Sequence, residues 1–211
     1  MKRVVNVMVA AAAAVMMMTA SPLAGQAKSA GPAPAAAPNT WTIDAAHSAA
    51  NFAVKHMMVS TVRGVLGPVS GSIVWDGKNT SSVSADVTID VTKLSTGVAQ
   101  RDTHLRTPDF FAAEQFPTMK FKSRKVIAGA NGAFTLVGDL TIRDVTREVT
   151  LDVEAPAAVI TSQGTQRTAT TATTTINRFD YNLKWNQLIE AGGAIVGADV
   201  KVTIDLEVTK K

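Results

Sequence analysis

The sequence predicts an all-β protein, an eight-stranded antiparallel β-barrel interrupted by one short helical insertion. Three features of the 211-residue chain carry this reading. Apolar and polar residues alternate over long stretches, turns rich in Gly, Asn and Asp separate those stretches, and a single segment departs from the period of two. Successive side chains on a strand point to opposite faces, so a period of two gives one dry and one wet side. Such strands hide the dry side by pairing two sheets or by closing into a barrel. The last alternating stretch, residues 196–208, is far longer than a usual strand of about five or six residues, and long, coiled strands favour the barrel.

Composition narrows the class. Apolar residues make up 46% of the chain and charged residues 18%, below the roughly 25% of an average soluble domain. That excludes a charge-rich disordered chain. Cysteine is absent, which excludes disulfide frameworks, thiolate nucleophiles and Cys-based metal sites. The formal charge of +4 is concentrated near the N-terminus: with Lys2, Arg3 and Lys28 set aside from 21 basic residues, 18 face 17 acids, a net of +1. A domain so balanced lacks the basic footprint of a nucleic-acid binder.

Three segments are expected. Residues 1–27 have the layout of a secretory signal peptide: Lys2 and Arg3, an apolar run over 4–18 broken by Asn6, then small residues with cleavage after Ala24 or Ala27. The run is shorter than the roughly 20 residues of a membrane span. Residues 28–40 form an Ala/Pro-rich linker with no period and nothing bulky to pack. Residues 41–211 form the folded domain, and a periplasmic or secreted location follows.

Within that domain, strands are expected at 49–56 and at 71–75, the latter ending on Asp76-Gly77. Over 83–91 every odd position is apolar (Val83, Ala85, Val87, Ile89, Val91) and every even one polar. Residues 95–115 then break the period. Leu94, Val98, Arg101 and Leu105 share one helical stripe. Thr107-Pro108-Asp109 has the hydroxyl cap, first-turn proline and acid of a second helix start. A helix-turn-helix insertion bearing Phe110, Phe111 and Phe116 is expected, able to plug one end of a barrel or to act as its lid. Strands resume at 118–127, 134–142, 145–153, 167–176 and 196–208, with Arg143-Asp144 as a very tight connection.

The candidate chemistry is sparse. His47, His56 and His104 lack the short spacings of a compact metal site, and no metal is expected. Asp44, His47 and Ser48 supply the residue types of a hydrolytic triad without the G-x-S-x-G elbow that exposes a nucleophile, so no catalytic residue is assigned. Asp44 reads instead as the holder of a turn. His56 shares the parity of Phe52 and Val54 and should face the interior, either as a satisfied core group or toward a ligand. Arg63, Arg101 and Arg106 offer forked donors for an anionic head group, or else pair with Asp102, Asp109 and Glu114. The expected inner face is mostly Val, Ile, Leu, Ala and Thr. Such residues fill an eight-stranded barrel or leave a slot for one slender apolar ligand, and periodicity alone favours the filled interior.

A series of motifs resembles the YceI-like family, in order from residue 41 to the C-terminus. They are Trp41-Thr-Ile-Asp44-Ala-Ala-His47-Ser48, Phe52-x-Val54-Lys55-His56-Met57, Ser60-Thr-Val-Arg63-Gly64, Arg101-Asp-x-His104-Leu-Arg106-x-Pro108-Asp109-Phe110-Phe111, Phe116-Pro117-Thr-x-x-Phe121-Lys-Ser123, Gly138-Asp-Leu-Thr-Ile-Arg143, Thr175-Ile-Asn-Arg178 and the start of the last strand. The resemblance implies a periplasmic or secreted, lipocalin-like barrel with a helix packed by its mouth. It also implies a long isoprenoid in the lumen, such as a polyprenyl pyrophosphate or an isoprenoid quinone, and no cofactor or enzyme activity. On this basis Phe52, Val54, His56, Phe110, Phe111, Phe121 and Trp185 are the expected lining residues. His47, Arg63, Arg101 and Arg106 are the candidates for the head group. The alternatives are a filled-core stress-response or interaction module without ligand, or a His-dependent hydrolase, and a homodimer through a strand edge stays open. Two positions depart from the family pattern: Asp144 and Asn182 each stand where it has glycine.

Overall fold

The computed structural model describes residues 39–188 and 193–211; the expected signal peptide and the linker up to residue 38 lie outside the described residues. The strands are β1 (Thr40–Ile43), β2 (Ala49–His56), β3 (Ser60–Gly67), β4 (Val69–Val74) and β5 (Ser84–Asp90). The helix α1 (Ala99–Arg106) follows, then β6 (Thr118–Ala128), β7 (Phe134–Ile142), β8 (Val145–Val153), β9 (Ile160–Ser162), β10 (Thr165–Asn177) and β11 (Val196–Lys210). All pairings are antiparallel, in the order β11-β1-β4-β5-β6-β7-β8-β10, and β10 pairs back onto β11 to close the ring.

The ring has eight positions, and the remaining strands extend it. One edge of β11 is taken by β10 along almost its whole length. The other edge is shared: β2 pairs with residues 196–205 and β1 with Val208 and Thr209. β3 continues β2, and β4 continues β1, through the Gly67-Pro68 break. β9 forms a short hairpin with the first residues of β10.

Burial follows the alternation. Ala85, Val87 and Ile89 of β5 and Phe134, Leu136, Leu140 and Ile142 of β7 face inward and are buried. Trp41 and Trp75 pack at 5.7 Å between ring centroids at the end where the chain enters the barrel, and the Trp41 indole N–H donates to the Trp75 carbonyl at 2.9 Å. β1, β3 and β9 were not separable in the sequence pattern: β1 and β9 are very short, and β3 contains Gly64 where an apolar residue would have continued the period.

The insertion differs from the expected helix-turn-helix. Only α1 forms; residues 107–115 are successive turns. The Thr107 hydroxyl donates backward to the His104 carbonyl at 2.8 Å, closing α1 instead of capping a new helix. Ala112 then takes a left-handed φ of 47°, and its N–H returns to Thr107 O. Of the two departures from the family pattern, Asn182 keeps the left-handed φ (60°) that glycine would supply, a conformation asparagine tolerates better than most residues. In the 143–144 turn the left-handed residue is Arg143 (φ 57°), not Asp144.

One seam of the barrel is thin. β8 and β10 share only the pairs Ala172–Val153 and Thr173–Asp152, whereas β7 is paired along its length on both sides. Beyond Asp152, residues 145–151 have no ladder partner on that edge among the described residues. In hydrogen-exchange measurements, alternate amides of residues 145–151 are expected to exchange at least about tenfold faster than those of β7. Equal protection would mean that the seam is bonded in solution.

Candidate ligand-binding site

The ring encloses an apolar slot of about 100 Å³. Its walls come from inward positions of β4, β5, β6, β7, β8, β10 and β11, among them Val87, Phe121, Leu136, Leu151, Ala172 and Ile204. On β5 the lining runs from Val83 to Ile89, and on β11 from Val202 to Val208. At about 3.3 Å per residue, that is a length of about 20 Å. The lining of this space is almost wholly apolar along that length.

Several inward-facing residues, including Ile73, Thr174, Ile204 and Leu206, retain partial accessibility because they border this space. The polar atoms of the lining are largely engaged elsewhere. The Thr168 hydroxyl donates to Ala157 O at 2.7 Å and that of Thr170 to Glu154 O at 2.8 Å. Both carbonyls belong to the segment that follows β8, so the threonines tie the barrel wall together and leave the slot apolar. Phe121 lies over Gly138: a Cβ there would come within 2.8 Å of its ring and 2.4 Å of the Lys122 carbonyl oxygen.

The insertion end is solid. Val91, Leu94, Ile142, Ile176, Tyr181 and Leu183 are buried there, and none of them lines the slot. Burial pushes the Tyr181 phenol up to about 12. The insertion thus plugs this end. Asp102 organises it: Oδ1 accepts from the Thr96 N–H at 2.7 Å and from the Thr96 hydroxyl at 2.5 Å, and Oδ2 accepts from the Ser95 hydroxyl at 3.2 Å. Burial pushes its carboxyl up, but these bonds and the nearby Arg106 outweigh it and hold it below the ordinary range. Arg178, also buried, donates to the carbonyls of Leu183, Trp185, Val196 and Gly197 and fastens the chain entering β11.

Of the seven expected lining residues, Phe121 alone stands on the slot. Phe52 is buried against Gly64, whose Cβ would come within 2.6 Å of its ring. Val54 and Phe111 pack on the edge of the core, and His56 is half-buried at the end of β2. Phe110 and Trp185 form an aromatic cluster with His104, with centroids 5.1 to 5.4 Å apart, and His104 Nε2 lies 2.8 Å from Asp109 Oδ2.

The four head-group candidates are not brought together either. Arg101 donates to the Thr96 hydroxyl at 2.8 Å, Arg106 donates to Leu94 O, and Arg63 is exposed on the outer face of β3. None of the three forms an ion pair with Asp102, Asp109 or Glu114 within 4.0 Å. His47 lies at the opposite end, 3.0 Å from Asp44, whose carboxyl is held low first by that bond. Ser48 exchanges hydrogen bonds with the main chain of Glu207, not with His47, so no triad is assembled. Asp44, His47 and Glu207 are close enough to share a cation, but Arg167 bonds Asp44 at 3.2 Å and Glu207 at 2.8 Å and already supplies the positive charge between them.

The YceI-like domain profile matches residues 41–208. The chain belongs to the YceI-like family. It is 36% identical over 168 residues to UPF0312 protein SA2479 of Staphylococcus aureus strain N315, covering 79% of this chain and 95% of that one. Among solved structures, the Campylobacter jejuni YceI protein is similar with a TM-score of 0.64 and 28% identity, over 74% of this chain and 90% of that one. Burkholderia cenocepacia BcnA shares the fold with a TM-score of 0.66 at 23% identity, over 78% of this chain and 98% of that one. So does a polyisoprenoid binding domain from Saccharophagus degradans, with a TM-score of 0.58 at 18% identity, over 81% of this chain and 98% of that one.

The Asp102 network gives a pH-dependent prediction. Because its folded pKa lies below the ordinary value of 3.8, its stabilisation is fully present above about pH 4 and is lost as pH falls through the lowered value. Asp102→Asn should therefore cost about 2 kcal/mol at pH 7, and thermal melts at pH 3 should show a smaller difference. A constant difference across that range would remove the carboxylate's charge from the account.

Proposed function

We propose that this protein binds a long, slender lipid of the isoprenoid class in the barrel slot and sequesters or carries it, without catalysing a reaction. The observation that carries this reading is the unfilled slot: an apolar space of about 100 Å³ inside a closed ring. Water in such a slot would have few polar partners, whereas a prenyl chain entering it leaves solvent at a gain of about 25 cal/mol per Å² of apolar surface. The polyisoprenoid-binding neighbour from Saccharophagus degradans has the same fold and supports the same class of ligand. A polyprenyl pyrophosphate and an isoprenoid quinone both have a long apolar tail of this kind.

The N-terminal pattern supports export to the periplasm or beyond, where a lipid passing between membranes crosses water. The thin seam between β8 and β10 offers a route into the slot, since Val149 and Thr174 line the slot on either side of its unbonded stretch. The side chains around the slot bind by shape and exclude water; none is placed for nucleophilic or acid–base work.

Extraction of the protein purified from its native host, followed by mass spectrometry, should release a prenyl lipid. Ala172→Phe places a ring into the slot and should lower the extracted amount by about tenfold. Protein that yields no lipid, or an Ala172→Phe variant that retains as much as the wild type, would overturn the proposal.

A further inference from the structure

The slot leaves the exposed apolar residues at the insertion end unexplained. Met58, Val59 and Leu188 are 66%, 86% and 80% exposed, and Met57 is 41% exposed. These four lie in two neighbouring segments. The Met57 N–H donates to Ile195 O at 2.9 Å, and Leu188 bridges to Ala194, so the β2–β3 turn and Leu188 belong to one rim. Val65 and Val98, also exposed, flank Ser95–Gly97 on the same side of the barrel.

The turn itself is poorly suited to methionine. Val59 N–H donates to His56 O at 3.0 Å, and both central residues are left-handed, Met57 at φ 51° and Met58 at φ 59°. A turn with two such residues favours Asn-Gly, and an L-residue with a long side chain is disfavoured there. Two flexible apolar side chains are therefore held where both backbone and solvent oppose them. Such a combination marks a surface whose preferred environment is not water.

The charge beside the tip identifies that environment. Lys55, Arg63 and Lys201 are exposed on the outer face of β2, β3 and β11, with Lys201 and Arg63 both opposite Ala53. None has a carboxylate within 4.0 Å among the described residues, and Asp199 is the acid on the neighbouring outward position of β11. Ala53 is four residues from Met57, about 13 Å at strand rise, so these cations stand just behind the apolar tip. An apolar tip backed by cations matches the layering of a bilayer with anionic head groups: acyl chains take the methionines, and the head groups meet the lysines and arginine.

We infer that the Met57-Met58-Val59 turn, with Leu188, docks the protein onto an anionic phospholipid bilayer. This surface is separate from the slot, and it can be tested without any isoprenoid. The expected mature chain, beginning at residue 28, should float with vesicles of phosphatidylethanolamine and phosphatidylglycerol and much less with vesicles of phosphatidylcholine alone. Met57→Asn with Met58→Gly relieves the left-handed strain, so the variant should melt higher and yet lose about tenfold in vesicle binding. Lys55→Glu with Arg63→Glu should weaken binding to the anionic vesicles alone, as should high salt.

Flotation of the Asn-Gly variant equal to that of the wild type would overturn the inference, as would failure of the wild type to float. A wild type that fails to float but forms a dimer broken by Met58→Asp would assign the tip to a second copy of the chain. Lipid extraction from the slot reads none of these outcomes, so either reading can fail alone.

Discussion

By returning onto β11, the strand β10 closes the sheet on itself. Twelve consecutive residue pairs join the two strands, from Gln166–Lys210 to Asn177–Asp199. They fix the number of ring positions at eight and with it the distance across the barrel. Once that distance is set, the inner side chains determine how much of it is occupied. The slot is the space these inner side chains leave between them.

The two ends of the barrel solve different problems. At the insertion end, buried polar groups are gathered around Asp102 and Arg178, each with several hydrogen-bond partners. A buried charge is tolerated when its bonds are satisfied in this way. At the other end Trp41 and Trp75 close on one another, with the Lys210 ammonium 4.8 Å from the Trp41 ring. The slot lies between them, and Trp75 contributes to its lining at that end.

The period of two made most of the barrel legible, because a strand with one dry face writes its geometry directly into residues such as Val83 to Val91. Closure was less visible: β1, β3 and β9 are short or glycine-containing, and no local pattern shows that β11 is shared between β1 and β2. The second helix expected at Thr107 failed because the hydroxyl turned back to His104, a choice set by the chain around it. The slot itself could not be read from alternation, since Val, Ile and Leu look the same whether they touch across a barrel or stop short. Family motifs drew attention to Phe110, Arg101 and Arg106, which belong to the plug. Asp102 and Arg178 stood within those motifs, but a single charged letter in a sequence does not reveal burial.

The approach of Phe121 to Gly138 bears on how relatives of this barrel could diversify. The aromatic ring can lie flat against the wall only because its neighbour presents a bare backbone. Any larger neighbour would meet the Lys122 carbonyl oxygen as well as the ring, so the pairing of β6 with β7 would have to shift along with it. The place of Phe121 on the slot is thus tied to a residue with no side chain, and a change there would carry two strands with it.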